Sequence, residues 1–323
     1  MSLTIKACPN LKGWWGRTGR DLVATTSTST PDHQQDRSRC SLPLFPVLSY
    51  LHITNCPKMT SIPLFPNLEE SLYLEKVSLK PLQETMSMTP LLPSSSSSLP
   101  SSSPLSKLNK IELNYIEDIE SLPAEGALYS LKELRIWDCP KLTSMFGAMR
   151  YLTSLCLLLI GNCKEFDPLR DMHDDGMEWQ CLTCLRDLRF GGIPKLKSLP
   201  VGLQCISTLK HLTISNCPNL MALPELTSLE VLWIERCEPN LTSLLGISCL
   251  TSLRLLWIED FPNLITFPES ISFSLETLSI SKCPILTTPP DDGCLKSLQT
   301  LQIVDCPNLV IDKDFPNLEI KRW

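Results

Sequence analysis

The feature that most constrains how this chain folds is a pattern that recurs along most of its 323 residues. It is clearest in LKELRIWDCPKLTSM from Leu131, LKHLTISNCPNLMALP from Leu209 and LQTLQIVDCPNLV from Leu298. These stretches share the template L-x-x-L-x-I-x-x-C-P-x-L-x-x-L-P. A unit this short cannot bury its own apolar residues, so copies must stack on one another to build a common core. The pattern therefore predicts one elongated array rather than several compact domains.

The spacing of the template identifies the class of array. With the Cys position taken as an anchor, successive anchors from Ile116 onward lie roughly 20 to 24 residues apart, with one interval of about 30, which is the period of leucine-rich repeats. We predict an α/β solenoid, a leucine-rich-repeat arc with one short parallel β-strand per repeat on the concave face and mostly irregular or short-helical convex segments. The whole chain, 1–323, is then a single domain of about twelve repeats. The anchors are Cys8, Cys56, Val77, Ile116, Cys139, Cys163, Ile193, Cys217, Cys237, Phe261, Cys283 and Cys306.

Each template position has a physical reason. In LKELRI, the apolar Leu134 and Ile136 alternate with the polar Glu133 and Arg135, which is the period of a strand with one buried face. The anchor cysteines suit a crowded turn, because a Cys side chain is small and apolar and its thiol forms a weak hydrogen bond. The Pro after each anchor lacks an N–H and fixes φ, so it is expected to end the strand.

Several stretches interrupt the array. Flexible inserts are predicted near 12–44 and 84–104, where TTSTSTPDHQQDRSR has too few apolar residues to pack and PSSSSSLPSSSP is of low complexity. The acidic stretch from Asp171 to Trp179 matches no known metal-ligand spacing, so it is interpreted as a solvated insertion. Because Met1 starts inside a repeat, we expect the natural fold to continue N-terminally.

Composition argues against several classes of function. The formal net charge of −6, from 29 basic and 35 acidic residues, does not favour a nucleic-acid partner. The sequence shows neither an apolar run long enough to span a bilayer nor a signal peptide, so we predict no membrane partner and a cytoplasmic or nuclear location. There the 15 cysteines are expected to stay reduced. Cys181 and Cys184 have CxxC spacing but no matching second pair, so no metal or cofactor is predicted.

Catalysis has no recognisable basis in the sequence. The four histidines fall in unrelated places, and no P-loop, GxGxxG, GxSxG or HExxH motif occurs. We therefore predict that the chain is not an enzyme. The surface of the sheet remains as the candidate for function, and on it one outward position recurs between the second Leu and the Ile of each repeat.

Two tryptophans occupy that outward position in adjacent repeats. Trp233 and Trp257 should stand side by side, about 4.8 Å apart at the backbone, and Trp137 should face the same way from an earlier repeat. Aromatic and arginine side chains are typical of binding hot spots. The alternative is that the two rings only stack and stabilise neighbouring strands. We predict a protein-contact surface on the concave face that consists of Trp137, Arg135, Arg189, Trp233, Glu235, Trp257 and Glu259.

The C-P-x-L-x-x-L-P cadence resembles the leucine-rich repeats of plant nucleotide-binding disease resistance proteins, particularly those of the coiled-coil class. The stretches FPVLSYLHITNCPKMTSIPLFPNLEESLYLEKV from Phe45 and ACPNLKGWW from Ala7 look like late repeats of that family. The resemblance covers nearly the whole chain outside the inserts. It implies a recognition module of plant innate immunity that senses pathogen effectors or guarded host proteins and regulates a nucleotide-binding switch. The residues of this chain include no such switch.

The partners that the resemblance implies are proteins: a pathogen effector, a guarded host protein or the nucleotide-binding domain of the receptor. Two other interpretations stay open. One is a substrate-recruiting leucine-rich-repeat subunit of a ubiquitin ligase, and the other is a stand-alone leucine-rich-repeat scaffold. A P-loop upstream of the repeats would select the receptor, an F-box would select the ligase subunit, and the lack of both would leave the scaffold.

Overall fold

The computed structural model describes residues 1–13, 45, 47–87, 104–122, 128–145, 147–170, 177–237, 249–267, 274–290, 292–311 and 319–322. Within these ranges, one sheet contains thirteen strands that follow one another in chain order, and each strand runs parallel to its neighbours. The strands are β1 (Ser2–Lys6), β2 (Tyr50–Thr54), β3 (Ser71–Glu75), β4 (Lys110–Asn114), β5 (Glu133–Trp137), β6 (Leu157–Gly161), β7 (Asp187–Gly191), β8 (His211–Ser215), β9 (Val231–Glu235), β10 (Leu255–Glu259), β11 (Thr277–Ser281), β12 (Thr300–Val304) and β13 (Glu319–Arg322).

The alternation predicted for the strands is present. The second and fourth residues of a strand point into the core, as Leu134 and Ile136 do with none of their surface exposed. The first, third and fifth residues lie on the opposite side of the sheet, which is the concave face of the arc. The parallel sheet of stacked repeats confirms the predicted fold, a leucine-rich-repeat solenoid.

A left-handed residue follows each strand from β1 to β12, at a position that the template leaves open. The residue after the strand has φ near 50–60° in every case, for example 53° at Asn55 and 61° at Gly192. In Asp138 this conformation directs the backbone N–H to the Gly161 carbonyl oxygen of the next repeat, at 2.9 Å. This bond extends the backbone hydrogen bonds between the two repeats by one residue beyond the strand. The chain then turns, and the side chain of the following anchor enters the core.

The anchor cysteines form the hydrogen bond expected of their thiols. In all eight, Sγ donates to the carbonyl oxygen two residues earlier, at 3.3–3.5 Å. Seven of them are buried. Cys8, which follows β1, is half-buried and packs against the core.

The return segments are short and irregular, as predicted. A second set of backbone hydrogen bonds links them, for example from Thr143 N to Glu120 O at 2.9 Å. The helical pieces of the described ranges are the α-helices α1 (Lys80–Met86) and α2 (Asp292–Ser297) and the 3₁₀ helices Met149–Tyr151, Met177–Cys181 and Val201–Cys205.

Packed residues lie at the margins of the two predicted inserts. Helix α1 places Leu82 and Met86 in the core, so the chain still packs beyond residue 84. Gly13 forms a bridge with Ser61 in the return segments, so packing also continues past residue 12. The remainder of both inserts, at 14–44 and 88–103, lies outside the described residues, and so do residues 171–176 of the acidic stretch.

Candidate protein-binding site

The outward position predicted from the template is in register across the sheet. Its members pair strand by strand in the order Thr4, His52, Tyr73, Glu112, Arg135, Leu159, Arg189, Thr213, Trp233, Trp257, Ser279 and Gln302. One side chain per repeat therefore forms a continuous row along the centre of the concave face. A partner lying across the repeats would meet these residues in chain order.

Trp233 and Trp257 form a stacked pair in this row. Their ring centroids are 4.6 Å apart and their planes differ by 10°. Both side chains are half-buried, and in neither does the indole Nε1 have a hydrogen-bond partner among the described residues, although the atom itself is buried. The pair presents a rigid apolar surface, since stacking fixes each ring against the other.

The acidic residues predicted beside this tryptophan pair are already in ion pairs. Glu259 accepts from Lys282 Nζ at 2.8 Å, and Glu235 lies 3.2 Å from Arg236 Nη1. Arg236 also donates through Nε to an Asp260 carboxylate oxygen at 2.7 Å. This hydrogen bond raises the pKa of the Arg236 guanidinium. The residues around the tryptophan pair are therefore charged, but each charge is neutralised by a neighbouring side chain of opposite sign. Exposed ion pairs of this kind contribute little stability, so a partner could replace them at small cost.

Trp137 does not join the tryptophan pair. It lies on β5, and the strands β6, β7 and β8 separate it from Trp233 on β9. The predicted surface thus divides into two parts along the arc. The Trp137 ring leans instead over β6: a Cβ added at Gly161 would lie 2.0 Å from its Cζ3, and one added at Gly191 would lie 3.7 Å from its Cη2. The indole covers bare backbone, and 37% of the residue remains exposed.

Both predicted arginines are engaged by their own strands. Arg189 donates to both carboxylate oxygens of Asp187, from Nε at 2.9 Å and from Nη2 at 2.6 Å, which raises the pKa of its guanidinium. Arg135 pairs through Nε with Glu133. Both side chains remain partly exposed on the concave face.

A recess of about 320 Å³ lies on the concave face beside Trp137. We call it the concave pocket. It is lined by Tyr73, Glu75, Glu112, Asn114, Tyr115, Arg135, Trp137 and Leu159. Three aromatic rings, two carboxylates and an amide therefore meet on strands β3 to β6 and in the turn after β4.

Hydrogen bonds orient the polar groups of the concave pocket. The Tyr73 hydroxyl donates to Glu75 Oε2 at 3.0 Å and accepts from Asn114 Nδ2 at 3.0 Å. Burial raises the pKa of the Tyr73 phenol, so the hydroxyl stays protonated and able to donate. The His52 ring lies 4.3 Å from the Tyr73 ring between centroids, and burial together with the charge of Lys6 lowers its pKa. The imidazole is thus neutral at pH 7 and adds no positive charge to this end of the face.

Sequence reasoning missed three of the residues that line this pocket, Glu75, Asn114 and Tyr115. Tyr73 and Glu112 stand in the predicted row, but Glu75 and Asn114 occupy the fifth strand position, in register with Trp137. That register was the available signal, because it places three consecutive fifth-position side chains beside one another. Tyr115 is the left-handed residue directly after β4, with φ of 53°. The template specifies no residue type at this position.

A second recess, of about 800 Å³, lies along the turns that follow β1 to β5 and shares Tyr115 with the concave pocket. Asp118 organises its floor: it accepts from the Leu79 backbone N–H at 2.9 Å and from the Ser78 hydroxyl at 2.5 Å. These bonds attach the start of α1 to the next repeat. No cluster of three His, Cys, Asp or Glu in the described ranges could hold a metal ion. Nor does any helix of these ranges have the length and apolar character needed to cross a membrane.

Comparisons with known proteins agree with the resemblance stated above. Residues 104–238 match the family model described as plant disease resistance protein RPS2-like, leucine-rich repeats. No curated protein sequence matches the chain. Among solved structures, the chain is similar to a plant peptide hormone receptor, RGFR1, in complex with RGF2, at 19% identity and a TM-score of 0.43 over 84% of this chain and 44% of that receptor. An internalin, inlF, from Listeria monocytogenes has 15% identity and a TM-score of 0.41, with 85% and 80% of the two chains covered.

The chain therefore spans less than half the length of the plant receptor and most of the length of the internalin. The match to the disease resistance family model covers the central repeats, and the leucine-rich-repeat fold rests on the continuous parallel sheet. Together they identify a leucine-rich-repeat module of the kind that binds other proteins.

Proposed function

We propose that this chain is the protein-recognition module of a plant immune receptor, on the premise that its central repeats match those of RPS2-like disease resistance proteins. In this role it senses a pathogen effector or a guarded host protein in the cytoplasm. Binding on the repeats then regulates a nucleotide-binding switch carried by residues or a partner outside this chain. The repeats supply recognition and the switch supplies signalling.

The observation that carries the proposal is the tryptophan pair on the concave face. Two half-buried indoles stacked at 4.6 Å form a firm apolar platform in the centre of a polar sheet. Tryptophan is enriched among the residues that dominate protein-binding energies, especially where a ring of polar groups surrounds it. Here the ring consists of Glu235 and Glu259 with their cationic partners Arg236 and Lys282.

The surrounding ion pairs favour a protein partner. Arg254 donates to both oxygens of Glu276 at 2.9 Å, and Lys210 lies 2.8 Å from Glu230, so charges of both signs alternate along the edge of the sheet near the platform. A nucleic acid would require an excess of cations, which this edge does not offer. A protein surface can match both signs and give the orientation that specific recognition requires.

A binding assay with a matched control tests the proposal. The full chain is paired by split luciferase in leaf cells with a panel of secreted pathogen effectors and the host proteins that those effectors bind. The test variant is W233A/W257A, which removes the platform. The control variant is M221A/I265A, which removes two exposed apolar side chains from the return segments, far from the concave face.

We expect at least one panel member to bind the wild-type chain and the control variant alike. Its affinity for W233A/W257A should be weaker by about tenfold or more, the loss typical of a hot-spot residue. A panel without a binder, or binders that hold the double tryptophan variant as tightly as the wild type, would refute the proposal. Sequencing of the full transcript through its 5′ end tests the switch separately, since an in-frame P-loop is expected there.

A further inference from the structure

We propose that the concave pocket is a specificity site that receives an arginine side chain from the recognised protein. The inference rests on the proposed function, because it concerns the same concave face and the same protein partner. It adds a chemical requirement that the tryptophan pair does not impose. Three features of the pocket support this role: an aromatic floor, an unpaired carboxylate and the charge of the surrounding strands.

The aromatic floor is the Trp137 indole. Its inner side covers the backbone at Gly161, and its outer side remains exposed beside the recess. A planar guanidinium stacks on such a ring, with Trp the strongest aromatic partner for a cation. The pocket already shows this preference at its rim, where Lys76 Nζ lies 5.1 Å from the centroid of the Tyr115 ring.

The unpaired carboxylate is Glu75. Its Oε2 accepts from the Tyr73 hydroxyl, and no cation of the described residues forms an ion pair with it. By contrast, Glu112 lies 3.2 Å from Lys110 Nζ and accepts from Asn114. The Tyr73 hydroxyl therefore orients the Glu75 carboxylate, whose oxygens can still accept hydrogen bonds from a cationic side chain. A guanidinium can donate two parallel hydrogen bonds to such a group.

The charge balance of the pocket favours a cation. Arg135 lines the recess, but Glu133 neutralises it and also lies 3.3 Å from Lys110 Nζ. Three carboxylates, those of Glu75, Glu112 and Glu133, face the two cations Lys110 and Arg135 on these strands. At the rim beside Tyr115, Lys76 and Asp138 add one charge of each sign, which leaves one negative charge. The neutral His52 does not offset it. An acidic side chain would be repelled here, and an apolar one would leave the Glu75 carboxylate desolvated without a donor.

The size of the recess is compatible with one long side chain. Its volume of about 320 Å³ is at the lower end of the range in which pockets hold small ligands. Trp137 and Glu75 both line the recess, so a side chain that enters it meets an indole and a carboxylate. Arginine suits this lining better than lysine because its planar head can stack on an aromatic ring as well as donate to a carboxylate. A lysine would satisfy the charge but would lose the stacking contact.

The test uses defined peptide probes and the indole resonances of the full chain. The peptide Ac-Gly-Arg-Gly-NH2 is titrated into the ¹⁵N-labelled chain, and the Trp137 indole signal is identified through W137F. The same peptide with citrulline in place of arginine has nearly the same shape but no charge. The variants are E75Q and, as control, E84Q, which neutralises an exposed glutamate on α1.

We expect the arginine peptide to shift the Trp137 indole resonance in a saturable way. Citrulline, or E75Q with the arginine peptide, should weaken the apparent affinity by about tenfold, as the loss of a charge-assisted hydrogen bond implies. E84Q should bind like the wild type. The inference fails if the arginine peptide leaves Trp137 unmoved, or if citrulline or E75Q gives the same affinity.

The outcome is separable from that of the proposed function. A partner that binds through Trp233 and Trp257 while Trp137 ignores the arginine peptide would overturn only the pocket assignment. A Trp137 response in a chain that binds no effector or guarded protein would support the pocket and count against the immune role. Unperturbed amide signals elsewhere in E75Q establish that the variant is folded.

Discussion

At the scale of single residues, the neighbour on the next strand decides how an aromatic side chain lies on the sheet. Trp137 is followed in register by Gly161, and its ring lies down over the exposed backbone. Trp233 is followed by Trp257, and the two rings stand and stack. Ser279, the next residue in that row, is small and only 2% exposed, so it is covered although it belongs to the concave face. Large residues of the face thus depend on small ones beside them.

Adding one methyl group at Gly161 should displace the Trp137 ring. The new Cβ would lie 2.0 Å from Trp137 Cζ3, so the ring must rotate away from the sheet. We expect G161A to be less stable than the wild type by about 1 kcal/mol, as overpacking typically costs, and to have a Trp137 more accessible to acrylamide. In a W137A background the same substitution should have almost no effect. Equal costs in both backgrounds, measured by urea unfolding, would disprove the contact.

Replacing Trp233 and Trp257 by phenylalanine should affect stability differently from replacing them by alanine, because the two indole N–H groups are buried. W233F/W257F keeps two stacked rings and deletes two buried donors that have no partner among the described residues. Its free energy of unfolding should therefore stay within about 1 kcal/mol of the wild type or exceed it. W233A/W257A loses the ring contact and should be destabilised by about 1–3 kcal/mol while remaining folded. Urea denaturation gives both values, and a large loss in the phenylalanine variant would contradict the unpaired state of the donors.

At the scale of the repeat, the sequence predicted those features that follow from side-chain chemistry. The alternation of Leu134 and Ile136 with polar residues predicted which side chains form the core, and the cysteine anchors predicted the thiol hydrogen bonds. The left-handed residue between strand and anchor was not predictable in this way. It is Asn, Asp or Gly in seven of these repeats, and these residues tolerate a positive φ. In the other five, such as those with Ala7 and Tyr115, the ladder to the next repeat imposes the conformation.

The same limit applies to the candidate site. The row with Trp233 and Trp257 followed directly from strand periodicity, since residues at one template position must share one register. The concave pocket did not follow from periodicity. Its shape depends on how far the Trp137 ring leans over the sheet and on Tyr115, a turn residue whose orientation the strand period does not determine. Periodicity predicts which face a side chain occupies and leaves undetermined which neighbours it contacts.

The repeat that contains α1 depends on one carboxylate of the next repeat. Asp118 accepts from the Leu79 N–H and from the Ser78 hydroxyl. D118A leaves both donors without this acceptor and should lower the free energy of unfolding by about 1–3 kcal/mol. The amide of Leu79 should also exchange its hydrogen faster. E117A, at the exposed adjacent residue, is the control and should match the wild type. Unchanged exchange at Leu79 in D118A would show that the helix start is held by other contacts.

At the scale of the whole molecule, stability is a sum over interfaces between neighbouring repeats. Each repeat contacts the next through the strand ladder, the anchor and the return segment. The anchors of adjacent repeats lie close enough to interact, as shown by the Cys283 N–H directed at Cys306 Sγ at 3.4 Å. A change that weakens one buried anchor should therefore weaken the contacts of its repeat with both neighbouring repeats.

Alkaline pH is such a change. Burial raises the pKa of Cys217 to about 11 and that of Cys237 to about 12, from an ordinary value of 9.0. The folded chain thus retains these protons at a pH where the unfolded chain has released them, so the free energy of unfolding must fall as pH rises above about 9. The stabilising effect is fully present below that pH and is lost as the pH approaches the folded values. Urea midpoints between about pH 8 and about pH 10.5 should decline accordingly.

The double variant C217A/C237A isolates the contribution of these two thiols. Alanine removes both titrating groups and opens small cavities, so the variant should be less stable than the wild type at pH 8. Its midpoint should nevertheless fall less steeply with pH, because lysines and tyrosines elsewhere titrate in both proteins and only the two thiols differ. Equal slopes would mean that thiolates form at these anchors without unfolding, and that the turn after the strand opens to solvent while the sheet persists. A shallower slope in the variant would instead establish the buried anchors as the groups through which alkaline pH weakens the stacked repeats.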